Sequence, residues 1–292
     1  MAPGFTIVPR GPFSLDLAAG FGFGPRLGAD DHRPMRLAFA VDGLREQAGV
    51  TLGQDPDGTI RGEVEGGDVD TVRRQVARIL SLDHDGEEWL QVGQRDPVIG
   101  RLQELYPGLR PVLFHSPYEA AAWAIISARQ RRAQAVRVRD RISARLGRTF
   151  DLAGQRLHAF PLPDSLAQLE SEEGLSAAKA ARLRALAARA QRGVLEAERL
   201  KGLGPERASE EVQELDGIGP FYASLIVLRA CGLADGLADE PSLRTSVAHY
   251  YGLDDPPSPQ QFEALAQPWR PFRTWASVLV RYAATRDGLV RA

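Results

Sequence analysis

The sequence predicts an α+β protein, with a small α+β domain over residues 1–87 followed by an all-helical region over residues 88–292. Residues 35–41 alternate large apolar side chains with smaller or polar ones, which is the pattern of a half-buried strand. Asp-Pro-Asp-Gly at residues 55–58 is a strong turn signal between two short apolar runs and predicts a β-hairpin. Beyond residue 88 the apolar residues recur at helical spacing, which predicts a core built from helices.

The N-terminal region combines several short strands with one helix. Asp68 is a favourable helix N-cap, and apolar residues at helical spacing after it predict a helix that extends to Leu82. A sheet with one helix makes a small α+β domain, and residues 84–88 mark the junction with the rest of the chain. The strands or sheet edges that we expect lie at residues 5–8, 12–17, 35–41, 49–52 and 59–64.

Capping residues and helix breakers divide the region after residue 88. Asp96-Pro97, Ser116-Pro117 and Ser258-Pro259 each place a good N-cap before a proline that suits the first helical position. Pro107-Gly108 ends the helix that Asp96 opens. We predict helices at residues 97–105, 118–128, 133–146, 176–191, 222–229, 259–266 and 271–286, and another that begins after Asp164-Ser165.

Composition excludes several classes of protein. The chain has 43% apolar and 25% charged residues and no apolar run of about 18 residues, so we expect a soluble protein without a membrane span. The N-terminus has no pattern of a secretory signal, and the single Cys231 is compatible with a reducing cytoplasm, where we place the protein. The five histidines are scattered without ligand spacing, so we expect no metal site.

Charge is distributed unevenly along the chain. Residues 1–110 hold 12 arginines against 17 acidic residues, whereas residues 111–292 hold 24 basic against 21 acidic residues. The net charge of −2 by itself argues against a nucleic-acid-binding protein, but the distribution matters more than the total. Residues 129–148 alone contain eight arginines and one acidic residue, which is typical either of a solvated helix face or of a phosphate-binding surface.

The stretch Leu-Asp-Gly-Ile-Gly-Pro-Phe-Tyr-Ala at residues 215–223 connects two helical patterns. Gly217 and Gly219, with Ile218 between them, suit a tight turn with unusual backbone angles. Pro220 then fits the first position of the next helix. The exposed amides of such a turn, beside a helix N-terminus, can bind a phosphate oxygen. Gly-Ile-Gly alone nevertheless favours a purely structural corner, because short glycine patterns are common.

The flanking residues favour the phosphate-binding interpretation. The pattern Leu-x-Gly-Ile-Gly-x-x-x-Ala resembles the hairpin of the helix-hairpin-helix DNA glycosylase superfamily, which includes endonuclease III. Two more segments are similar to bacterial 3-methyladenine DNA glycosylase II in the same order. They are residues 96–130, with Tyr-Pro-Gly-Leu-Arg and Ile-Ile-Ser, and residues 269–275, Trp-Arg-Pro-Phe-Arg-Thr-Trp. The resemblance implies an N-terminal domain with a sheet like that of TATA-binding protein, and a helical core in two subdomains. Because the N-terminal half is acidic, we expect it to be a structural appendage.

The resemblance implies excision of alkylated purines of the 3-methyladenine type from double-stranded DNA in base excision repair, by a monomer without a cofactor. The family places a catalytic carboxylate a little over twenty residues after the hairpin, where Asp239 and Glu240 stand here. A carboxylate can stabilise the sugar cation that forms as the N-glycosidic bond breaks. Glu240 fits better, because Leu243 and Arg244 then match the family's helix, whereas Asp239 is the usual residue type. The alternative is that both residues only cap a helix.

Other site residues also follow from the resemblance. Relatives with lyase activity carry a lysine where this chain has Phe221, so the resemblance implies a hydrolase that leaves an abasic site. The single cysteine excludes the four-cysteine iron–sulfur cluster of endonuclease III relatives. The wedge that fills the space of a flipped nucleotide is Arg129 or Gln130, with Arg131 beside them on the DNA.

Six aromatic residues lie near these segments and could stack on a cationic methylated base, although we expect at least half of them to be core residues. They are Phe221, Tyr222, Trp123, Trp269, Phe272 and Trp275. Two other functions stay open. One is a catalytically silent protein that binds lesions, and the other is a glycosylase for a different damaged base, such as uracil or a deaminated purine.

Overall fold

A computed structural model describes residues 3–25, 34–238 and 240–290. It confirms the α+β class, with a small antiparallel sheet near the N-terminus and a body of helices after it. The candidate residue Asp239 lies outside the described residues. Among the described residues, no helix combines the length and the apolar character needed to cross a membrane.

The N-terminal elements form one four-stranded antiparallel sheet in the order β1-β4-β3-β2. The predicted turn at residues 55–58 connects β3 to β4 through hydrogen bonds between Asp55 and Thr59 and between Gly58 and Asp55. The predicted helix α2 begins after Asp68, whose carboxylate accepts from the Thr71 amide. The elements are β1 (Gly4–Ile7), α1 (Leu15–Ala19), β2 (Met35–Ala40), β3 (Gln47–Gln54), β4 (Ile60–Glu65) and α2 (Val69–Ile79).

The strand predicted at residues 12–17 is wrong. The chain forms α1 there, because the Ser14 hydroxyl caps the helix by accepting from the Leu17 amide. Leu15 and Ala18 then lie three positions apart on one buried face, which is the spacing of a helix and not of a strand.

The remaining chain is mostly helical. Its helices are α3 (Gly86–Arg95), α4 (Pro97–Leu105), α5 (Pro117–Ser127), α6 (Arg132–Leu146), α7 (Pro163–Leu166), α8 (Ala177–Gln191), α9 (Ala197–Leu203), α10 (Pro205–Gln213), α11 (Pro220–Ala230), α12 (Pro241–Tyr251), α13 (Pro259–Leu265) and α14 (Arg273–Arg286). Two short strands, β5 (Thr149–Leu152) and β6 (Gln155–His158), interrupt the region that the sequence predicts as all-helical. They pair because Phe150 and Leu152 alternate on one face, where they pack against Ala38 of the N-terminal sheet.

Two hydrophobic cores divide the molecule into two lobes. The first lobe joins the N-terminal sheet and α2 to α3, α4, α12 and α14. The second lobe consists of α5, α6 and α8 to α11. The C-terminal helices therefore pack with the N-terminal half of the chain, and a cleft remains between the lobes.

Arg110 holds the N-terminal segment against the helical body. Its guanidinium is almost completely buried, and its pKa is lowered to about 10 by that burial. It also stacks near the rings of Phe13 and Trp275, with centroid distances of 6.0 and 5.7 Å. The carbonyls that accept its hydrogen bonds belong to Arg10, Gly11, Pro12, Ser81 and His84.

A second polar cluster connects the N-terminal sheet to α5. The buried Glu119 carboxylate accepts from the Ala40 amide at 3.2 Å and lies 3.0 Å from His115 Nδ1. Burial raises the pKa of Glu119, but His115, Arg139 and the Ala40 amide outweigh it and lower the pKa below its usual value of 4.5.

Candidate functional site

The cleft between the two lobes has a volume of about 800 Å³. Its walls come from α5, α11, α14, the first residues of α12 and the segment Gly20-Phe21-Gly22-Phe23-Gly24. Elements that are distant in sequence therefore meet around one cavity large enough for a nucleobase.

Glu240 lies on the wall of this cleft and is about one-quarter exposed. It is the N-cap residue of α12, and its backbone carbonyl accepts from the amides of Leu243 and Arg244. Its side chain makes no capping hydrogen bond, so the carboxylate is not used to terminate the helix. For Glu240, this finding argues against the alternative of a simple helix cap. The other candidate, Asp239, lies outside the described residues.

Arg281 of α14 forms an ion pair with Oε1 of Glu240. Ser242 Oγ donates to the same oxygen at 2.7 Å, and Arg281 Nη1 donates to Ser242 Oγ at 3.1 Å. Burial lowers the pKa of the Arg281 guanidinium. Arg281 was not predicted from the sequence, because nothing in its local pattern indicates that α14 packs against the start of α12.

Three of the six candidate aromatic residues line the cleft. Phe221 is 43% exposed and meets Tyr222 edge-on at a centroid distance of 5.4 Å. Trp123 of α5, in the same lobe, also lines the cleft. The hydroxyls of Tyr222 and Ser127 share a hydrogen bond of 3.3 Å, which ties α11 to the end of α5. These side chains form an apolar wall with a polar rim, suited to stacking on a base.

The other three aromatic residues do not line the cleft. Trp269, Phe272 and Trp275 are buried in the core of the first lobe, with exposures of 0%, 3% and 3%. Trp269 Nε1 donates to the Asp96 carboxylate at 2.9 Å, which fixes the ring inside that core. We therefore assign them a structural role and withdraw them from the base pocket.

The N-terminal region supplies part of the cleft wall through residues 20–24, while its role as a structural appendage without direct DNA contact stays a prediction. Phe21 stacks on Tyr282 of α14 at a centroid distance of 5.7 Å and an interplanar angle of 6°. Phe23 packs on Phe114 at 4.7 Å. Gly24 is necessary for this contact, since a Cβ there would lie 2.5 Å from the Phe114 ring. The alternating Gly-Phe-Gly-Phe-Gly at residues 20–24 is the sequence feature from which this part of the wall could have been predicted.

The hairpin between α10 and α11 has the predicted tight turn. Gly217 has a φ of +90°, a conformation that favours glycine, and the buried Ile218 anchors the turn by donating to the Leu215 carbonyl at 3.0 Å. Gly219 is the N-cap of α11 and provides no capping side chain. Amides at the start of α11 thus remain available to an anion, because the first turn of a helix leaves its N–H groups unsatisfied.

The loop between α5 and α6 carries the candidate wedge residues. Arg129 is exposed and has a φ of +55°, which is uncommon for a residue with a side chain. Gln130 Nε2 donates to the Gly174 carbonyl at 2.7 Å, so its amide is held by the protein. Arg131 is exposed at the N-cap of α6. Of the two wedge candidates, Arg129 is the one whose side chain stands at the surface.

The arginines of α6 are largely engaged within the protein. Arg141 and Arg145 both pair with Glu172, and Arg139 pairs with Glu119 and Asp140. These pairs favour the interpretation of α6 as an ordinary solvated helix face. Contacts to DNA phosphates are therefore better placed at the loop before α6 than along the helix.

Within residues 3–25, 34–238 and 240–290, no group of three or more His, Cys, Asp or Glu side chains could hold a metal ion.

No family model and no curated protein matches the chain. Solved structures do match. A 3-methyladenine DNA glycosylase from Archaeoglobus fulgidus is 23% identical with a TM-score of 0.79, covering 98% of this chain and 100% of that one. An 8-oxoguanine glycosylase/lyase from Clostridium acetobutylicum, bound to double-stranded DNA, is 19% identical with a TM-score of 0.62, covering 84% and 86%. A DNA-3-methyladenine glycosidase from Bacillus halodurans is 18% identical with a TM-score of 0.54, covering 70% and 92%.

These matches identify the fold of the chain. The chain has the fold of the helix-hairpin-helix DNA glycosylases, as the hairpin at residues 215–223 predicted. The similarity to the Archaeoglobus structure extends over nearly the whole chain, so the N-terminal sheet belongs to the shared architecture.

Proposed function

We propose that the protein is a monofunctional DNA glycosylase that hydrolyses the N-glycosidic bond of alkylated purines of the 3-methyladenine type. One observation carries the proposal. A single cleft brings together the Glu240 carboxylate, the aromatic side chains of Phe221, Tyr222 and Trp123, and Gln130 of the wedge loop. The printed names of the structural neighbours support the same class of activity.

Each part of the cleft has a role in base excision. The hairpin amides bind a phosphate, the wedge loop fills the space left in the duplex, and the aromatic wall receives the flipped base. Phe221 and Tyr222 directly follow the hairpin turn, so phosphate binding and base stacking occur at adjacent positions of one helix.

The carboxylate of Glu240 acts on the sugar side of the bond. A methylated purine is positively charged and leaves without protonation, so the remaining requirement is to stabilise the sugar cation and direct water to it. Oε1 of Glu240 is engaged by Arg281 and Ser242, which holds the carboxylate in a defined orientation. The second oxygen, Oε2, is then the one that stabilises the sugar cation and directs the water.

The absence of lyase activity is part of the proposal. Phe221 stands where a Schiff-base lysine would be, and the chain has only two lysines, Lys179 and Lys201. Lys179 Nζ donates to two backbone carbonyls, and Lys201 Nζ lies 3.8 Å from Asp83 on the first lobe. Borohydride should therefore trap no covalent complex with DNA that contains an abasic site. A trapped complex that disappears in a Lys179→Met variant would overturn this part.

The activity itself is tested by base release. The protein is incubated with DNA treated with dimethyl sulfate, and free 3-methyladenine and 7-methylguanine are measured against a Glu240→Gln control. We expect release by the wild type and a large loss in the variant. Binding to the duplex should weaken steeply as salt increases, because Arg–phosphate contacts release counterions.

A catalytically silent lesion-binding protein is the second candidate, favoured by the ion pair that offsets the charge of Glu240. Binding of methylated DNA without any base release would select it. The other alternative is a glycosylase for a different damaged base. Duplexes that each carry one defined lesion, namely uracil, hypoxanthine or 8-oxoguanine, separate it from the proposed specificity by their relative single-turnover rates.

A further inference from the structure

Lys179, in the first turn of α8, binds the C-terminal end of α5. Its ammonium donates to the carbonyls of Ile126 and Ala128, both at 2.7 Å. The last carbonyls of a helix have no partner within the helix, and a cation at this end also interacts favourably with the helix dipole. A lysine from a different helix thus terminates α5 at the point where the wedge loop begins.

The same region of the chain holds the other side of the wedge loop. Gly174, just before α8, accepts a hydrogen bond of 2.7 Å from Gln130 Nε2. The segment 174–179 therefore fixes residues on both sides of Arg129, whose own side chain is exposed on a left-handed backbone. A left-handed residue with a side chain persists only where the surrounding contacts stabilise it.

Helix α8 reaches the hairpin as well. One turn after Lys179, the aliphatic part of Arg182 lies 3.0 Å from the position that a Cβ of Gly217 would occupy. The Lys179 ammonium is partly buried, and this desolvation, together with the Arg182 charge, lowers its pKa. This desolvation carries a free-energy cost, which the two hydrogen bonds to the carbonyls of Ile126 and Ala128 offset.

We propose that Lys179 is a positioning residue that fixes the end of α5, and thereby presents Arg129 for insertion into the duplex when a base is flipped. The inference deepens the proposed function and rests on it. Because α8 contacts both the wedge loop and the hairpin, it holds the inserting residue at a set distance from the phosphate-binding turn. Lys179 itself touches neither the base nor the sugar.

The chain offers a matched control, since Lys201 is its only other lysine and lies outside the cleft wall. Lys179→Met, Lys179→Arg and Lys201→Met are compared in single-turnover excision from a duplex with one 7-methylguanine. We expect Lys179→Met to lower the rate about 10- to 100-fold, the effect of misplacing a group by about 1 Å. Lys179→Arg should recover most of the rate, and Lys201→Met should leave it unchanged. Affinity for undamaged duplex should stay within about twofold in all three, because the wedge acts after encounter.

A double-mutant cycle with Arg129→Ala separates positioning from a general structural effect. If Lys179 acts through Arg129, the double variant is no slower than Arg129→Ala alone. The proposal would be overturned if the fold-losses of Lys179→Met and Arg129→Ala multiplied in the double variant. A wild-type rate in Lys179→Met, or a failure of Lys179→Arg to recover activity, would also overturn it.

A second experiment distinguishes failure of the positioning role from failure of the proposed glycosylase activity. If the wild type releases no base, insertion of Arg129 into the duplex is followed instead by the fluorescence of 2-aminopurine placed next to a mismatch. A smaller signal in Lys179→Met than in the wild type supports the positioning role even without catalysis. Equal signals overturn it.

Discussion

Replacing Glu240 with glutamine is the most direct test of the chemistry in the cleft. The substitution keeps the shape of the side chain and removes the charge that is paired with Arg281. Because the Glu240 side chain does not cap α12, the start of that helix should remain intact. The change therefore isolates electrostatics from folding.

The expected loss is the loss of the carboxylate. Losing one preorganised electrostatic stabiliser lowers a rate by about 10² to 10³, or about 3 to 4 kcal/mol, so the single variant should lose about 10²- to 10³-fold. Arg281 repels the sugar cation in both proteins, but in the variant no carboxylate offsets its charge. Two unit charges about 7 Å apart at an effective dielectric constant of about 20 interact by about 2 kcal/mol, or about 30-fold in rate.

The double variant Glu240→Gln/Arg281→Met tests the repulsion between Arg281 and the sugar cation. Removing the unpaired guanidinium should make it faster than Glu240→Gln alone by about 30-fold. The assay is single-turnover excision with the enzyme in excess over a duplex carrying one 7-methylguanine, and thermal unfolding serves as the control for folding. A wild-type rate in Glu240→Gln would refute the reasoning and transfer the role to Asp239, tested by Asp239→Asn. A double variant slower than the single one would refute the role of Arg281.

Four further outcomes are expected. Gly219→Val should weaken duplex binding about tenfold in fluorescence anisotropy, which is the effect of losing one hydrogen bond to a charged group. The Tm should not change, because a Cβ at this position meets nothing within 4 Å. Arg129→Ala should slow base flipping in stopped-flow fluorescence while initial binding stays within about twofold. Arg110→Met should lower the free energy of unfolding by about 3 kcal/mol or more in urea, because several buried carbonyls lose their donor. Glu119 has a lowered pKa, so its contribution to stability is present above pH 4.5 and is lost as the pH falls through the folded-state pKa. In Glu119→Gln, the urea midpoint should therefore decrease less as the pH falls over this acidic range.

Each of these outcomes has a result that would contradict it. Normal DNA binding by folded Gly219→Val makes the hairpin structural only, and an unchanged flipping rate in Arg129→Ala moves the wedge elsewhere. A loss of less than about 1 kcal/mol in Arg110→Met would mean that water replaces the guanidinium. If the stability of Glu119→Gln falls with acidic pH as steeply as that of the wild type, the carboxylate that causes this loss lies outside this cluster.

Local elements of this protein were predictable because their causes are local. The cap at Asp68 and the apolar spacing after it define α2, and the turn at residues 55–58 defines the hairpin of β3 and β4. Gly217 was predicted to need an unusual backbone, and it has a φ of +90°. The error at residues 12–17 is of the same local kind, since the Ser14 cap outweighed the apparent strand pattern.

The composition of the cleft was only partly predictable. Glu240 and the pair Phe221-Tyr222 were found because their spacing from the hairpin resembles that of a known family. Trp269 and its neighbours in the third segment also resembled that family, yet they lie in the core. Sequence resemblance indicated which segments matter, but it did not indicate which face of each segment is buried.

The sequence by itself determined the fold class, the hairpin and the segments that surround the site, because caps, breakers and apolar periodicity act over a few residues. Only the tertiary structure decided that Arg281 pairs with Glu240, that Phe21 stacks on Tyr282, and that Lys179 terminates α5. These contacts join residues far apart in the chain, and they form because two hydrophobic cores bury α14 against the N-terminal half and α8 against α5. Which apolar faces meet is a property of the whole folded chain, since burial is non-directional and many pairings satisfy the same local pattern.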